Sequence, residues 1–275
     1  MLSKMKIILS RKGFDDSNGG CASPILPDGT MLSMPIPSVE DDILYDQLQY
    51  NGINYADILK QINPKNYSYT TCHLDPDIRP NIRIKPTKNW IPAFGQIGSA
   101  QGLLRNAGVT VGDLFLFFGW FRKVKYSNNG YRFLTNADSN DFYDISDLHA
   151  IFGYMQIGKI ITNQNDIKKY SWHPHASEKR LKDKTNAIYI PSEKLSLCPN
   201  LPGCGVLNYR KDRILTMAGK LRATWIAYEF LMPDKVYGNK KNSASNGGLY
   251  YKGVWQELVV NESPGLLDWV LNIIK

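Results

Sequence analysis

Continuous apolar runs, each bounded by glycine or polar residues, predict a sheet of buried β-strands. The clearest runs lie at residues 6–9, 114–120, 147–161, 186–191 and 253–260. Runs of this kind are typical of strands that are covered on both faces. In the long run at 147–161 we expect a kink at Gly153 or Gly158, because glycine weakens strand pairing.

Two turn signals predict hairpins between neighbouring apolar runs. The tripeptide Pro-Asp-Gly at residues 27–29 separates short apolar stretches at 25–26 and 31–34. Asn129 and Gly130 stand before a second run at residues 131–134. Both signals supply the backbone conformations that tight turns require. We therefore expect a small hairpin at each position.

Apolar residues spaced three and four apart predict helices at residues 43–62, 96–107 and 264–275. We expect the first segment to form one or two helices, broken near Asn51 and Gly52. Gly108 stands where glycine commonly follows the last turn of a helix, so we expect the second helix to end there.

Polar segments rich in glycine and proline connect these elements and are predicted as loops. They include residues 10–20, 72–80, 162–184 and 198–206. The chain has no internal repeat and no clear linker. We therefore expect a mixed α/β (α+β) fold, organised as a single domain over residues 1–275, with a β-rich centre flanked by helices.

Composition narrows the class of protein. The 275 residues are 43% hydrophobic, which is enough for a folded core. No apolar run approaches the roughly 18–20 residues of a membrane span, and the start of the chain lacks the apolar stretch of a signal peptide. Four cysteines are too few for a disulfide scaffold. We expect a cytoplasmic protein without a membrane partner.

The formal net charge of +8 favours anionic partners, such as nucleic acid or nucleotide phosphates. The segment SRKGFDDSNGG follows the first predicted strand and offers Ser10, Arg11 and Lys12 as donors to an anion. Asp15 is a candidate acid or base, or a partner for one of these cations. The segment lacks the order of a P-loop, and a solvated surface turn is the alternative.

The segment HLDPDIR concentrates ionisable groups. In an extended chain, His73, Asp75, Asp77 and Arg79 share one face, because side chains alternate. Such a face suits a divalent metal or acid–base catalysis. The alternative is an exposed loop in which Arg79 pairs with an aspartate.

Two of the four histidines lie close together, at His173 and His175. If the segment is extended, both imidazoles share a face, and together with His73 they would complete a three-ligand metal site. Contact with a phosphate or a base, and a plain polar loop, remain open.

Two further segments contain candidate binding residues. Gln96 and Ser99 lie at the start of the predicted helix 96–107, where free N–H groups bind phosphate, although close packing of the neighbouring glycines is an equal alternative. The strand that opens at residue 112 resembles part of a PUA-like barrel. That resemblance makes Trp120, Phe121 and Arg122 candidates for stacking and phosphate contact, against a generic buried hairpin.

The motifs SRKGFDDSNGG, HLDPDIR, FGQIGSAQGLLRNAGVTVGDLFLFFGWFR and HPH, taken in this order, resemble the nucleotide modification associated domain family, type three. The resemblance extends from Ser10 to about Glu257. It implies a connection with hypermodified nucleobases of phages and bacteria. The matching positions are Ser10, Arg11, Lys12, Asp15, His73, Asp75, Asp77, Arg79, Gln96, Ser99, Asp113, Arg122, His173 and His175.

Two functions follow from these observations. The first is an enzyme that makes or processes modified bases, nucleotides or DNA. Its acid–base groups would be Asp15, His73, Asp75, Asp77, His173 and His175, and a divalent metal is an open requirement. The second is a PUA-like reader that binds a modified base without changing it. Carboxylates repel phosphate unless they bind metal or do chemistry, which favours the enzyme. The oligomeric state is open.

Overall fold

The computed structural model describes residues 5–64, 68–128, 130–237, 243–245 and 247–275, and shows the expected mixed α+β fold. The strands are β1 (Ile7–Arg11), β2 (Ser23–Ile25), β3 (Ile36–Pro37), β4 (Ile43–Leu44), β5 (Gln49–Tyr50), β6 (Ile53–Asn54), β7 (Thr71–His73), β8 (Phe94–Gln96), β9 (Leu114–Ser127), β10 (Gly130–Phe133), β11 (Leu148–Ile161), β12 (Ala187–Pro191), β13 (Lys194–Leu195), β14 (Cys198–Pro202), β15 (Cys204–Val206), β16 (Thr224–Ile226), β17 (Val236–Tyr237), β18 (Ser243–Ser245), β19 (Gly248–Tyr250) and β20 (Glu257–Val260). The α-helices are α1 (Tyr55–Ile62), α2 (Gly98–Asn106), α3 (Phe142–Ile145), α4 (Gln164–Ile167), α5 (Glu178–Leu181) and α6 (Leu266–Ile274). Short 3₁₀ turns lie at Tyr45–Gln47, Lys168–Tyr170, Pro174–Ala176, Lys211–Arg213 and Glu229–Leu231.

A ten-stranded sheet forms the centre of the molecule and curls into a half-barrel. Its main path runs β17-β20-β1-β9-β11-β12-β8, and β2, β10 and β15 pair at its sides. Strand β1 is parallel to β9, whereas β20 and β11 run antiparallel to their neighbours. The expected β-rich centre is confirmed, and nothing in this topology tests its likeness to a PUA barrel.

Strand β11 bends where the sequence predicts a kink. Its pairing with β9 shifts register between Ile151 and Gly153, and its pairing with β12 shifts between Ile157 and Lys159, on either side of Gly158. A Cβ atom at Gly158 would lie 2.6 Å from the backbone oxygen of Pro191. Glycine therefore permits the close backbone approach that curls the sheet.

A layer of packed aromatic rings lies in the core against the sheet. Phe94, Phe115 and Phe117 are fully buried, with ring centroids 5.0–5.8 Å apart. Full burial of one such side chain contributes roughly 1.5–3 kcal/mol. Phe121, a candidate for stacking on a base, is also fully buried in this core. Its position in a continuous apolar strand places it in the core, so no face of its ring is open to a ligand.

The predicted helical segment 43–62 is helical only in its second half. Helix α1 begins at Tyr55, and the Oδ1 of its N-cap Asn54 accepts from the backbone N–H of Asp57 at 2.8 Å. The first half instead forms short strands and a 3₁₀ turn. Asn51 and Gly52 both have positive φ, which makes them the turn of the β5–β6 hairpin and not a break between helices.

Other local predictions have mixed outcomes. Gly108 follows α2 with a φ of +66°, as expected, although residues 94–96 form β8 before the helix. The hairpin before residues 131–134 is confirmed by the pairing of β10 with β9, while Asn129 itself lies outside the described residues. Near the first turn signal, Ile25 and Met31 form a single bridge.

The predicted loop at 198–206 is wrong, because β14 and β15 occupy it. In the part of the chain that the structure describes, no helix is long and apolar enough to cross a membrane.

Candidate metal centre

Four predicted site residues from two distant segments meet beside the sheet. Around the Asp75 carboxylate, the Nε2 atoms of His73, His173 and His175 lie 3.8, 3.4 and 3.8 Å from its oxygens. His73 ends β7, while His173 is the N-cap of the 3₁₀ turn Pro174–Ala176, which contains His175 and packs against β8. The HPH segment is therefore not extended, as the sequence analysis assumed, but its histidines still reach Asp75.

The tautomer of His73 is set by a carboxylate behind it. Its Nδ1 lies 3.1 Å from the Oδ2 of Asp41, and Arg180 contacts both oxygens of Asp41 at 2.6 and 3.0 Å. Burial would raise the pKa of Asp41, but His73 and Arg180 hold it well below its usual range. Because ionised Asp41 only accepts hydrogen bonds, neutral His73 donates from Nδ1 and turns the lone pair of Nε2 towards Asp75.

His175 is oriented in the same way by Asn186. The Asn186 amide nitrogen donates to the backbone oxygen of His175 at 2.9 Å, so its Oδ1 accepts from the His175 Nδ1 at 2.7 Å. The Nε2 of His175 therefore carries a lone pair that also faces Asp75. Burial is the main cause that lowers the pKa of His175 to about 3.

Asp75 is ionised, and its carboxylate is surrounded by a backbone N–H and three imidazoles. Its Oδ1 accepts from the backbone N–H of Gly95 at 2.8 Å. Burial would raise its pKa, but the imidazoles of His173, His73 and His175 bring it well below the usual range. Burial would also lower the pKa of His73, yet Asp41 and Asp75 together raise it. The position between the Asp41 and Asp75 carboxylates, where the His73 imidazole lies, therefore favours a positive charge.

The arrangement fits a transition-metal ion. One ligand atom each from His73, Asp75 and His175 lies within 4.8 Å of the other two. Two neutral imidazoles and one carboxylate are a donor set for Zn²⁺, Fe²⁺ and related ions, and three protein ligands leave positions for water or substrate. His173 supports the position of His175, because its Nδ1 accepts a hydrogen bond from the His175 backbone N–H at 3.2 Å.

A cleft of about 240 Å³ opens over this centre. Its walls include the cations Arg11, Lys12 and Arg180, together with Asp15 and Gln96. Arg11 and Asp15 form an ion pair at 3.6 Å. The first predicted motif and the two histidine motifs thus meet in one cationic cleft, although more than 50 residues separate them along the chain.

Glu257 holds Ser10 and Lys12 of the first motif in place. Its Oε1 accepts from Ser10 at 2.9 Å, from Lys12 at 3.0 Å and from Gln96 at 2.6 Å, and its side chain is buried. Ser10 therefore lies inside β1 and supports Lys12 instead of facing the cleft. Gln96 contributes both to this contact and to the cleft wall.

Four other predicted residues lie outside the cleft. Asp77 forms an ion pair with Arg83 at 2.6 Å, and burial raises its pKa despite that arginine. Strand β7 ends at His73, so the alternation that would have aligned Asp77 and Arg79 with Asp75 stops there. Arg79 donates to the backbone oxygen of Met31, and Arg122 donates to the backbone oxygen of Leu134. Ser99 is exposed, and the backbone N–H of its neighbour Gly98 donates to the Thr185 hydroxyl.

Sequence reasoning did not assign four residues that support the site. These are Asp41, Arg180, Asn186 and Glu257. Arg180 lies in the predicted loop 162–184 and Glu257 in the predicted strand 253–260, but only their contacts in the fold give them a role. Asp41 is the middle one of three adjacent acids before a short strand, and nothing in the sequence separates it from exposed Glu40 and Asp42.

The fold and the site together define a mixed α+β protein with a two-histidine, one-carboxylate centre under a cationic cleft. Residues 6–261 match the family model described as nucleotide modification associated domain 3, so the chain belongs to that family. The family predicted from the sequence motifs is thereby confirmed. No curated protein and no solved structure matches the chain significantly.

Proposed function

We propose that the protein is a metal-dependent enzyme that makes or processes modified nucleobases, acting on a nucleotide or on DNA. One observation carries this proposal. The lone pairs of the His73 and His175 Nε2 atoms converge with the Asp75 carboxylate, each held by its own hydrogen-bond partner, beneath a cationic cleft. The family description supports a connection with nucleotide modification and specifies no reaction.

The residues that line the cleft have three different roles in this proposal. His73, Asp75 and His175 hold the metal ion, which when bound would polarise a substrate oxygen or activate water. Arg11, Lys12 and Arg180 attract an anionic substrate such as a phosphate group. Asp15 lies at the cleft wall, where it can exchange a proton with the substrate or orient Arg11.

The proposal requires that the metal be bound before any reaction occurs. We would measure the metal content of the purified protein after loading with Fe²⁺, Zn²⁺, Mn²⁺ or Co²⁺, and then follow products by mass spectrometry. The substrates are ordinary and hypermodified DNA and a panel of nucleotides. We expect near-stoichiometric metal and a new product that disappears on chelation.

Paired variants separate the centre from general charge effects. Asp75→Asn should lose metal and product together. Asp41→Asn should weaken metal affinity about 10–100-fold, because it disturbs the partner of a ligating imidazole. Asp42→Asn, at the exposed neighbouring acid, should bind metal like the wild type.

Two results would redirect the proposal. A protein that holds no transition metal under any loading condition would contradict the centre. Selective retention of modified DNA with no product would favour the reader, the second function derived from the sequence.

A further inference from the structure

A second cleft, of about 350 Å³, lies beside the Arg11–Asp15 ion pair. Both residues line this cleft as well as the one over the metal centre. The two clefts thus share one ion pair. The volume lies at the lower end of the range for small-molecule sites, about 300–1,000 Å³.

Aromatic and guanidinium groups form one wall of the second cleft. The guanidinium carbon of Arg222 lies 3.9 Å from the ring centroid of half-buried Trp120, and Arg222 also pairs with Asp16 at 2.6 Å. Tyr250, 40% exposed, lines the same space. Aromatic rings and arginine planes are the surfaces on which proteins stack nucleobases.

A neutral histidine lines the same cleft. The Nδ1 of His149 accepts from the indole N–H of Trp225 at 2.9 Å, so its proton resides on Nε2. That Nε2–H makes no hydrogen bond to another described residue, and His149 lines the cleft. A neutral N–H donor in a polar cleft suits a carbonyl oxygen or ring nitrogen of a heterocycle, which are acceptors, and not a second cation.

The charges of the cleft fit the same type of ligand. Arg11, Arg222 and Lys252 face Asp15 and Asp16, which leaves a small positive excess. Gly253 stands so close to Arg11 that an added Cβ would lie 3.3 Å from its Nη1, which places this guanidinium beside the second cleft too. A phosphate at Arg11 would be within reach of a ring in this cleft.

We propose that the second cleft binds the heterocyclic ring of a nucleotide whose phosphate contacts Arg11 and Lys12. The substrate class assigned here, a nucleotide bound through both ring and phosphate, rests on the proposed function and deepens it. The ring stacks on Arg222 and Tyr250 and accepts a hydrogen bond from His149. A free nucleotide and an unstacked nucleotide of DNA present the same chemistry to this cleft.

The test is calorimetric binding of the four common nucleoside 5′-monophosphates, of single-stranded DNA and of ribose 5-phosphate, without added metal. Arg222→Gln and Tyr250→Ala should each weaken binding of the best mononucleotide at least tenfold. Their matched controls, Lys220→Gln and Tyr237→Ala, change exposed residues outside the cleft and should bind normally. Ribose 5-phosphate carries no nucleobase, so its affinity should not respond to any of the four variants.

The two sources of the ligand give different results. If free nucleotides are bound, mononucleotides should compete with the oligonucleotide. If the nucleotide is bound within DNA, the oligonucleotide alone should show tight binding that the two cleft variants weaken. Equal affinity in variants and controls for both ligands, or no binding of either, would overturn the proposal.

Hydrogen exchange of the wild-type protein gives a second readout that needs no variant. The ligand should slow exchange in peptides that cover residues 220–226 and 248–253, and unchanged exchange there at saturation would also overturn the ring site. Asp75→Asn should keep the ring affinity while it loses metal. Failure of the metal centre and failure of the ring cleft are therefore distinguishable.

Discussion

His149 contacts three aromatic rings and is held neutral in their midst. Its ring centroid lies 5.6 Å from those of Phe118 and Tyr251 and 5.8 Å from that of Trp225. Burial, followed by the charges of Arg222 and Arg11, lowers its pKa well below 6.5. The folded protein therefore resists protonation at a residue that takes a proton readily once the chain unfolds.

This residue should make the protein less stable in acid. Below pH 6.5 the unfolded chain binds a proton at His149 that the native protein does not, so the free energy of unfolding falls as the pH falls. One such group costs about 2 kcal/mol between pH 7 and pH 5. Above pH 7 neither state binds this proton, and its contribution no longer changes.

Urea unfolding of the wild type and of His149→Gln at pH 5, 6 and 7 measures this contribution. Groups that titrate in both proteins cancel in the comparison. We expect the loss of stability from pH 7 to pH 5 to be about 2 kcal/mol smaller in the variant, whatever its stability at pH 7. Equal losses would show that His149 does not remain neutral in the native state.

At the scale of elements, Glu257 joins three strands through one carboxylate oxygen. It begins β20, Ser10 belongs to β1, and Gln96 ends β8, while Lys12 follows β1 directly. The Lys12 side chain is 9% exposed and also lies 4.4 Å from the ring centroid of Phe94. Removing the acid would leave this buried ammonium without its countercharge.

Glu257→Gln should therefore lower the free energy of unfolding by about 3 kcal/mol, the cost of breaking a buried ion pair. Adding Lys12→Met should recover at least about 1 kcal/mol relative to the sum of the single losses, because the two groups are coupled. Denaturant unfolding of the four proteins of this cycle provides the values. Glu193→Gln, at an exposed acid, should be neutral, and strict additivity of the two variants would contradict the coupling.

The elements that the sequence predicts correctly are those with long hydrophobic patterns. The runs of β9 and β11 need no tertiary information, because their many aromatic or β-branched residues favour a buried strand over a buried helix. Residues 43–50 show the helical spacing that continues into α1, yet residues 43–44 and 49–50 form strands of two residues each, with a 3₁₀ turn between them. Such short strands depend on their partners, as β4 depends on β7, and a local pattern does not contain that information.

In the candidate site, too, part of the arrangement follows from the sequence and part depends on the fold. His73, Asp75 and His175 can be named from the sequence, since three of the four histidines stand in two dense motifs. Their grouping, and the roles of Asp41 and Asn186, come from segments that meet only in the folded chain. Residue type thus indicates the chemistry, and the fold decides which residues take part in it.

For the molecule as a whole, the proposed metal would connect segments that are distant in sequence. Its ligands lie on β7, in the loop after it and in the 3₁₀ turn at Pro174–Ala176, about 100 residues later. Arg180 and Asp41, which support one ligand, also come from these two regions. An ion that binds only the folded chain stabilises all of it, because the complete site exists only there.

Metal should accordingly raise the thermal midpoint of the protein. At a free concentration 100 times the Kd, one ion adds about 2.7 kcal/mol, which corresponds to about 5 °C or more for a chain of this size. Calorimetric scans of metal-free protein with and without Zn²⁺ or Mn²⁺ measure the shift. Asp75→Asn should abolish it, whereas Asp77→Asn should keep it even if its own midpoint is lower, because Asp77 pairs with Arg83 away from the centre. An equal shift in Asp75→Asn and the wild type would mean that the ion binds elsewhere.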